Sequence, residues 1–280
     1  MSVIATCFVA MTFIACSDGD DRTSGPSRSR GGETTEAPTA EPTYRVVEVT
    51  ESGSIRGNVR WRGEVPEPPR SPVLAHNDVC GDSQPARTLT VSPSGGVSDV
   101  VVSIDIRTGA ALPEERPAAV VDNVGCRFEP HITAVGVGAL LFRNSDEVLH
   151  NVHGFAGERS MIDLGLPERG SLVERTLAEP TVLRLVCDAG HGWQQAWVHA
   201  FEHPYFAVTD ERGRFEIPEV PPGIYTLRLW HEGWRVVGRG AGRIRWSNPV
   251  VLSRSVTVAT EQETTVDFEL GAESAEIAGD

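Results

Sequence analysis

Five cysteines and eight histidines carry most of the chemistry this sequence can offer. Cys187 closes an apolar run, Thr181 to Val186, and is followed by Asp188-Ala189-Gly190 and then His191. Upstream, His150-Asn151-Val152-His153 follows Asn144-Ser145-Asp146. Thiolate and neutral imidazole are ligands of copper and zinc, so these two stretches are where a metal is to be sought. Cys7 lies in an apolar amino-terminal run and Cys16 ends it, which leaves Cys80, Cys126 and Cys187. Three is an odd number. In an oxidising compartment it means one disulfide plus a thiol with another task, three free thiols, or an intermolecular bridge. Cys187 is the thiol best placed for another task, so the expected disulfide is Cys80 with Cys126.

Composition removes several alternatives. Against 39 acidic residues stand 25 basic ones, a formal net charge of −14, so no broad positive surface exists to neutralise phosphates and no nucleic acid partner is expected. All 25 basic residues are Arg, which excludes a Lys nucleophile, a Schiff base and a phosphate-loop ammonium. No Ser-His-Asp arrangement, nucleophile elbow, Cys-x-x-Cys-His haem site or Gly-rich nucleotide loop is present. The expectation is a redox carrier rather than a catalyst, without a small-molecule substrate.

The elements that must position these groups are strands. After Tyr44 the pattern is short alternating runs broken by Gly and Pro, with no apolar spacing at helical period. Val100, Val102, Ile104 and Ile106 point one way while Asp99, Ser103 and Asp105 point the other. Tyr225, Leu227 and Leu229, and Val266, Phe268 and Leu270, repeat the signature. On such a strand His153 faces away from His150, which gives it a structural role; it is the fourth ligand only if the metal is zinc. His131, His199, His203 and His231 read as surface or core residues. The 280 residues allow two modest domains.

At the amino terminus, Val3 to Ala15 is too short to span a bilayer as a helix and reads as a signal peptide. Its end, Phe13-Ile14-Ala15-Cys16, resembles the lipobox of bacterial lipoproteins. The resemblance implies a signal over residues 1–16, lipidation of Cys16 and, because Asp18 rather than residue 17 is the aspartate, sorting to the outer membrane. The chain is then exported and attached to the membrane through the lipid alone, at the periplasmic face of the outer membrane or the cell surface. Met1-Ser2 departs from the pattern by supplying no Lys or Arg. Residues 17–43, rich in Ser, Thr, Gly and Pro, form a disordered linker, and residues 272–280 a similar tail.

Two further resemblances concern the body. Val208-Thr209-Asp210-Glu211-Arg212-Gly213-Arg214-Phe215 with Val220-Pro221-Pro222-Gly223-Ile224-Tyr225 resembles carboxypeptidase regulatory-like domains, which implies a transthyretin-like sandwich over 206–271. Gly53 to Val59 resembles the opening strand of that module, so segment 44–117 either contributes its first strands or forms a separate piece. Gly138-Ala139-Leu140-Leu141-Phe142-Arg143-Asn144-Ser145-Asp146, running into His150-Asn151-Val152, together with the later Cys…His loop, resembles plastocyanin-like cupredoxins, a Greek-key β-sandwich, over 118–205. The combination is similar to bacterial periplasmic cupredoxin proteins with a regulatory-like domain.

The cupredoxin resemblance implies one copper ion held by His150, Cys187 and His191, with Asn151 tying the two ligand loops together. Two imidazoles and a thiolate in a plane with a weak axial donor suit copper that changes oxidation state with little rearrangement. The chain departs from the pattern in its Cys-x-x-x-His spacing and in lacking a Met downstream. Gln194 stands where that Met belongs, with Gln195 as the alternative; a Gln carbonyl favours the oxidised ion and lowers the reduction potential. Trp193 and Trp197 are expected to flank the site and shield it from water. The function so implied is single-electron transfer to a periplasmic redox protein. The alternatives are a cell-surface carbohydrate- or protein-binding sandwich without a functional metal, and copper storage or delivery.

Overall fold

Alternation along Val101–Asp105 and Gly223–His231 puts Val102, Ile104, Leu227 and Leu229 on one face, all at 2% exposure or less. These two strands pair antiparallel with Leu227 opposite Ile104 and form the middle of a four-stranded sheet closed by Phe206–Val208 and Val250–Val258. A second sheet packs against it. Its central strand, Gly53–Arg62, pairs antiparallel with Arg214–Val220 and parallel with Glu263–Thr265 and Phe268–Gly271. Ile55, Val59, Phe215, Ile217 and Phe268 supply the facing half of this core. The computed structural model describes residues 44–240 and 242–274; the apolar run 1–16 with Cys16, the linker 17–43 and tail positions 275–280 lie outside them.

The strands at 53–62 and 101–105 therefore belong to the same sandwich as 206–271, and residues 119–201 build a second sandwich between them in the chain. One of its sheets runs Leu172–Leu177, Gly138–Asn144, Ala119–Asn123, Phe128–Glu129; the other runs Arg159–Leu166, His150–Ala156, Thr181–Val186, Gln195–Phe201, Ile132–Gly136. Val121, Phe142, Val152, Leu164, Leu183, Leu185 and Val198 fill the space between. The architecture is all-β, two β-sandwiches with one inserted into the other. The α-helix Asn77–Cys80 is four residues long, too short to show a helical period in the sequence.

Turn chemistry fixes the register of the outer sandwich. Asp210 Oδ1 accepts from the backbone N–H groups of Arg212 and Arg214, and Gly213 takes φ +76°, where any Cβ would run into the Val59 carbonyl.

Gln195–Phe201 packs on both faces, one buried and the other partly buried, which joins the sandwiches. Ala196, Val198 and Ala200 enter the inner core, while Gln195, Trp197, His199 and Phe201 turn toward the outer sandwich. At this junction Glu232, 2% exposed, accepts from Trp197 Nε1 at 2.9 Å and Gln195 Nε2 at 2.9 Å, and pairs with the buried His131. Trp197 therefore faces Trp230, at 5.1 Å between ring centroids, and Glu232; it belongs to the junction rather than to the flank of the Cys187 region. His131, His199, His203 and His231 are all buried.

Candidate metal centre

The strand His150–Ala156 and the strand Thr181–Val186 are antiparallel neighbours, His153 opposite Val186, so His150 and Cys187 emerge together at one end of the inner sheet. Cys187, fully buried and free, follows directly on Val186. The loop then turns back: Gly190 takes φ +92°, and the N–H of Gln194 donates to the His191 carbonyl at 2.9 Å, which brings Gln194 under the strand ends. Gly192 lies against the Gly242 carbonyl so closely that no Cβ would fit, which fixes the loop under the hairpin Val236–Gly240 and Arg243–Trp246.

Three donor atoms converge here. Cys187 Sγ lies 3.5 Å from His191 Nδ1 and 3.9 Å from His150 Nδ1, with the two rings 4.5 Å apart between centroids. An ion bound at ~2.3 Å from sulfur and ~2.0 Å from nitrogen sets the two donors about 3.6–3.8 Å apart. The donor spacing thus fits a single ion of this size, and all three residues are at most 2% exposed.

Hydrogen bonds set the tautomer. His150 Nε2 meets Asp146 Oδ2 at 3.0 Å, so the ring's proton sits on Nε2 and its lone pair, on Nδ1, faces the sulfur. Asp146 is held in turn: its backbone N–H donates to Asn144 Oδ1, and its carboxylate accepts from the N–H groups of Gly125 and Cys126 at 2.7 and 2.8 Å. Burial pushes the His150 imidazole below its ordinary value, with Asp146 opposing. Burial, then the neighbouring His150 and His76, brings His191 down to about 4. Both rings are therefore neutral near pH 7, the state in which nitrogen binds a metal. Burial raises the Cys187 thiol, opposed by the N–H groups of Asn151 and Ala189; Asn151 N reaches the sulfur at 3.4 Å. A thiol held high by burial, between two neutral imidazoles, is deprotonated when a cation replaces its proton.

Gln194 is 1% exposed. Its Nε2 donates to Asn123 Oδ1 at 2.6 Å, which turns Oε1 toward the ligand cluster, 3.1 Å from His150 Nδ1. Gln195 points the other way, to Glu232, so of the two glutamines it is Gln194 that offers an oxygen to the cluster. Asn151 Oδ1 accepts from the Asp188 N–H at 2.5 Å, linking the His150 strand to the Cys187 loop. His153 bonds Asp188 at 2.6 Å and Ser160 at 3.0 Å on the opposite face and does not reach the cluster. Trp193 packs 5.3 Å from the His191 ring and donates to the Cys126 carbonyl at 2.9 Å. Cys80 and Cys126 form a disulfide.

Several contributors stand outside the motifs. Arg243 Nη2 donates to the Cys187 carbonyl at 2.5 Å and to Asp188 at 2.7 Å, 56 residues along the chain, a contact no local spacing signals. His76, with φ +60°, sets its ring 6.3 Å from that of His191. Asp146 was legible only as part of a turn, although its place four residues before a histidine is itself a signal. Replacing it with Asn keeps the side chain's shape but removes the charge opposite His150 Nε2–H and sets an NH2 donor where one of the two oxygens now accepts from the Gly125 and Cys126 N–H groups. Asp146→Asn is expected to weaken Cu(II) binding about 10–100-fold in a chelator competition; equal affinity would remove Asp146 from the centre.

Comparison with known proteins finds partial likenesses. A family model described as polysaccharide lyase family 4, domain II, matches residues 175–266, a third of the chain. That family, and not the carboxypeptidase regulatory-like one which the 206–271 motifs resemble, is what this region matches. A comparison with curated proteins finds no match. Among solved structures, a purple cupredoxin from Nitrosopumilus maritimus is 18% identical over 29% of this chain and 98% of its own, with a TM-score of 0.26. Amicyanin from Paracoccus versutus is 16% identical over 32% of this chain and 84% of its own, TM-score 0.27. A copper-containing nitrite reductase from Thermus scotoductus is 19% identical over 33% of this chain and 24% of its own, TM-score 0.28.

Proposed function

We propose that the chain is an exported, lipid-anchored electron-transfer protein in which one copper ion would be held by His150 Nδ1, His191 Nδ1 and Cys187 Sγ, with Gln194 Oε1 as a fourth, weaker donor. The observation that carries this reading is the convergence of those three donors, with sulfur 3.5 and 3.9 Å from the two nitrogens, in a site closed to water. Copper bound there would supply a one-electron couple. The protein's part is to hold the donors still. His150 is fixed through Asp146, Gln194 through Asn123, and the Cys187 loop through Asn151 and Arg243, so the donor positions are set by the fold in either oxidation state. Export and lipidation rest on the apolar run ending in Phe13-Ile14-Ala15-Cys16, and the electron partner on that account is another periplasmic redox protein.

The test is electrochemical. Copper-loaded protein is expected to show a reversible one-electron couple, and Gln194→Met, which exchanges a hard oxygen for a soft thioether, to raise the potential by at least about 59 mV, a tenfold shift for one electron. An irreversible response, or a potential unmoved by Gln194→Met, would contradict the reading.

A further inference from the structure

The disulfide lies where its sulfurs can also be ligands. Cys80 belongs to the segment between Arg70–Pro72 and Ser83–Pro85, and Cys126 to the loop after Ala119–Asn123, so the bond clips the former onto the inner sandwich. Cys80 Sγ lies 3.8 Å from His191 Nε2, the nitrogen turned away from Cys187. Donor atoms of Cys80, Cys126 and His191 all fall within 4.8 Å of one another, as do those of Cys126, Asp146 and His150. All five residues are buried, with Val73, Val148, Val79 and Trp193 packed around the two sulfurs.

We infer that the dithiol form of Cys80 and Cys126 is a second metal site, for a soft ion such as Cu(I), completed by His191 Nε2. Two thiolates and an imidazole are the ligand types that select Cu(I). The Cα atoms, 5.3 Å apart, already hold the two thiols side by side. Opening the site takes a dithiol reductant: one of its thiolates attacks a cysteine sulfur to give a mixed disulfide, and its second thiol displaces that bond. The S–S bond between Cys80 and Cys126 breaks, two S–H bonds form, and the reductant leaves as its own disulfide, having given two electrons and two protons to the cysteines. Cu(I) then replaces the two thiol protons, which pass to solvent. The site stands on its own thiols and does not require an ion at Cys187; because the two positions share the His191 ring, an ion at one alters the nitrogen offered to the other.

The Cys187→Ser variant isolates the second site. Full-length protein is titrated anaerobically with Cu(I) against a chromophoric Cu(I) chelator, before and after treatment with a dithiol reductant that is then removed, while a thiol reagent counts the groups released. Thiols are expected to rise by two and Cu(I) retained against the chelator from none to one per chain, with the added substitution Cys80→Ser abolishing retention. Cys187→Ala serves if Ser at that core position unfolds the chain. A disulfide that resists reduction in folded protein overturns the inference, as does a rise of two thiols with no retained Cu(I). Loss of a copper couple in wild-type protein would count against the proposed function while leaving this titration unaffected.

Discussion

Metal-free protein is expected to lose about 6 kcal/mol of folding stability as pH falls from about 6.5 to below 4, through two histidines at the junction of the sandwiches. His199 and His203 are 4% and 8% exposed, and burial brings each from an ordinary 6.5 to about 4. His199 Nε2 has no hydrogen-bond partner among the described residues, and its ring packs 4.3 Å from Trp230. His203 Nδ1 accepts from the Tyr205 N–H at 3.2 Å, a bond that protonation at that nitrogen would remove. Between the two pKa values the unfolded chain binds more protons than the folded one, so stability rises with pH across this window and is lost on acidification. Each ring accounts for about 3 kcal/mol. His150, His191 and His231, all lowered by burial, add to this loss, while His131, raised by Glu232 against its own burial, has its effect above about pH 6.5, outside the window. Urea unfolding at a series of pH values measures the slope. A flat profile from pH 7 to 4 would contradict the burial of these rings, and His199→Leu is expected to remove about 3 kcal/mol of the loss.

The second large effect is expected at Glu232. Its carboxylate, itself buried, pairs with the buried His131 and accepts from the partly buried Gln195 and Trp197. Burial raises the Glu232 carboxyl, but the His131 charge outweighs this and holds it below the ordinary carboxylate range; His131 itself lies above the ordinary range despite its own burial. The pair is therefore ionised in the folded protein over the pH interval between about 4.5 and 6.5. Glu232→Ala removes one charge and leaves its partner and two N–H groups buried without acceptors, a change that costs about 3–5 kcal/mol. Denaturant titration near pH 6 reads it directly. A loss below 1 kcal/mol would mean that water reaches the junction, and Glu232→Gln, which keeps an acceptor oxygen, is expected to lose less than Glu232→Ala.

What the sequence made legible follows from distance along the chain. The strands declare themselves because alternation is local: Val102, Ile104, Leu227 and Leu229 need only their neighbours to be read. Cys187…His191 and Asn144…His150 are legible for the same reason, and the place of Cys187 ahead of His191, taken with odd cysteine parity, leaves Cys80 and Cys126 as the expected pair. The nesting of one sandwich in the other is legible only as one of two arrangements: Gly53 to Val59 resembles an opening strand of the outer module, but its pairing with Arg214–Val220 leaves no local mark. Which glutamine faces the cluster is set by long-range partners that no local spacing shows: Gln194 bonds Asn123, while Gln195 bonds Glu232 on the other face of its strand. Trp197 was misplaced for that reason. Arg243, Glu232 and His76 reach their contacts across long stretches of chain, so their contributions wait on the fold.

The central claim, a copper ion bonded to the Cys187 thiolate, is tested most directly by the visible absorption and electron paramagnetic resonance spectra of Cu(II)-loaded protein beside Cys187→Ser. The expected result is an intense thiolate-to-copper charge-transfer band that is absent from the variant. A colourless protein, or a weak spectrum unchanged by the substitution, would contradict the account.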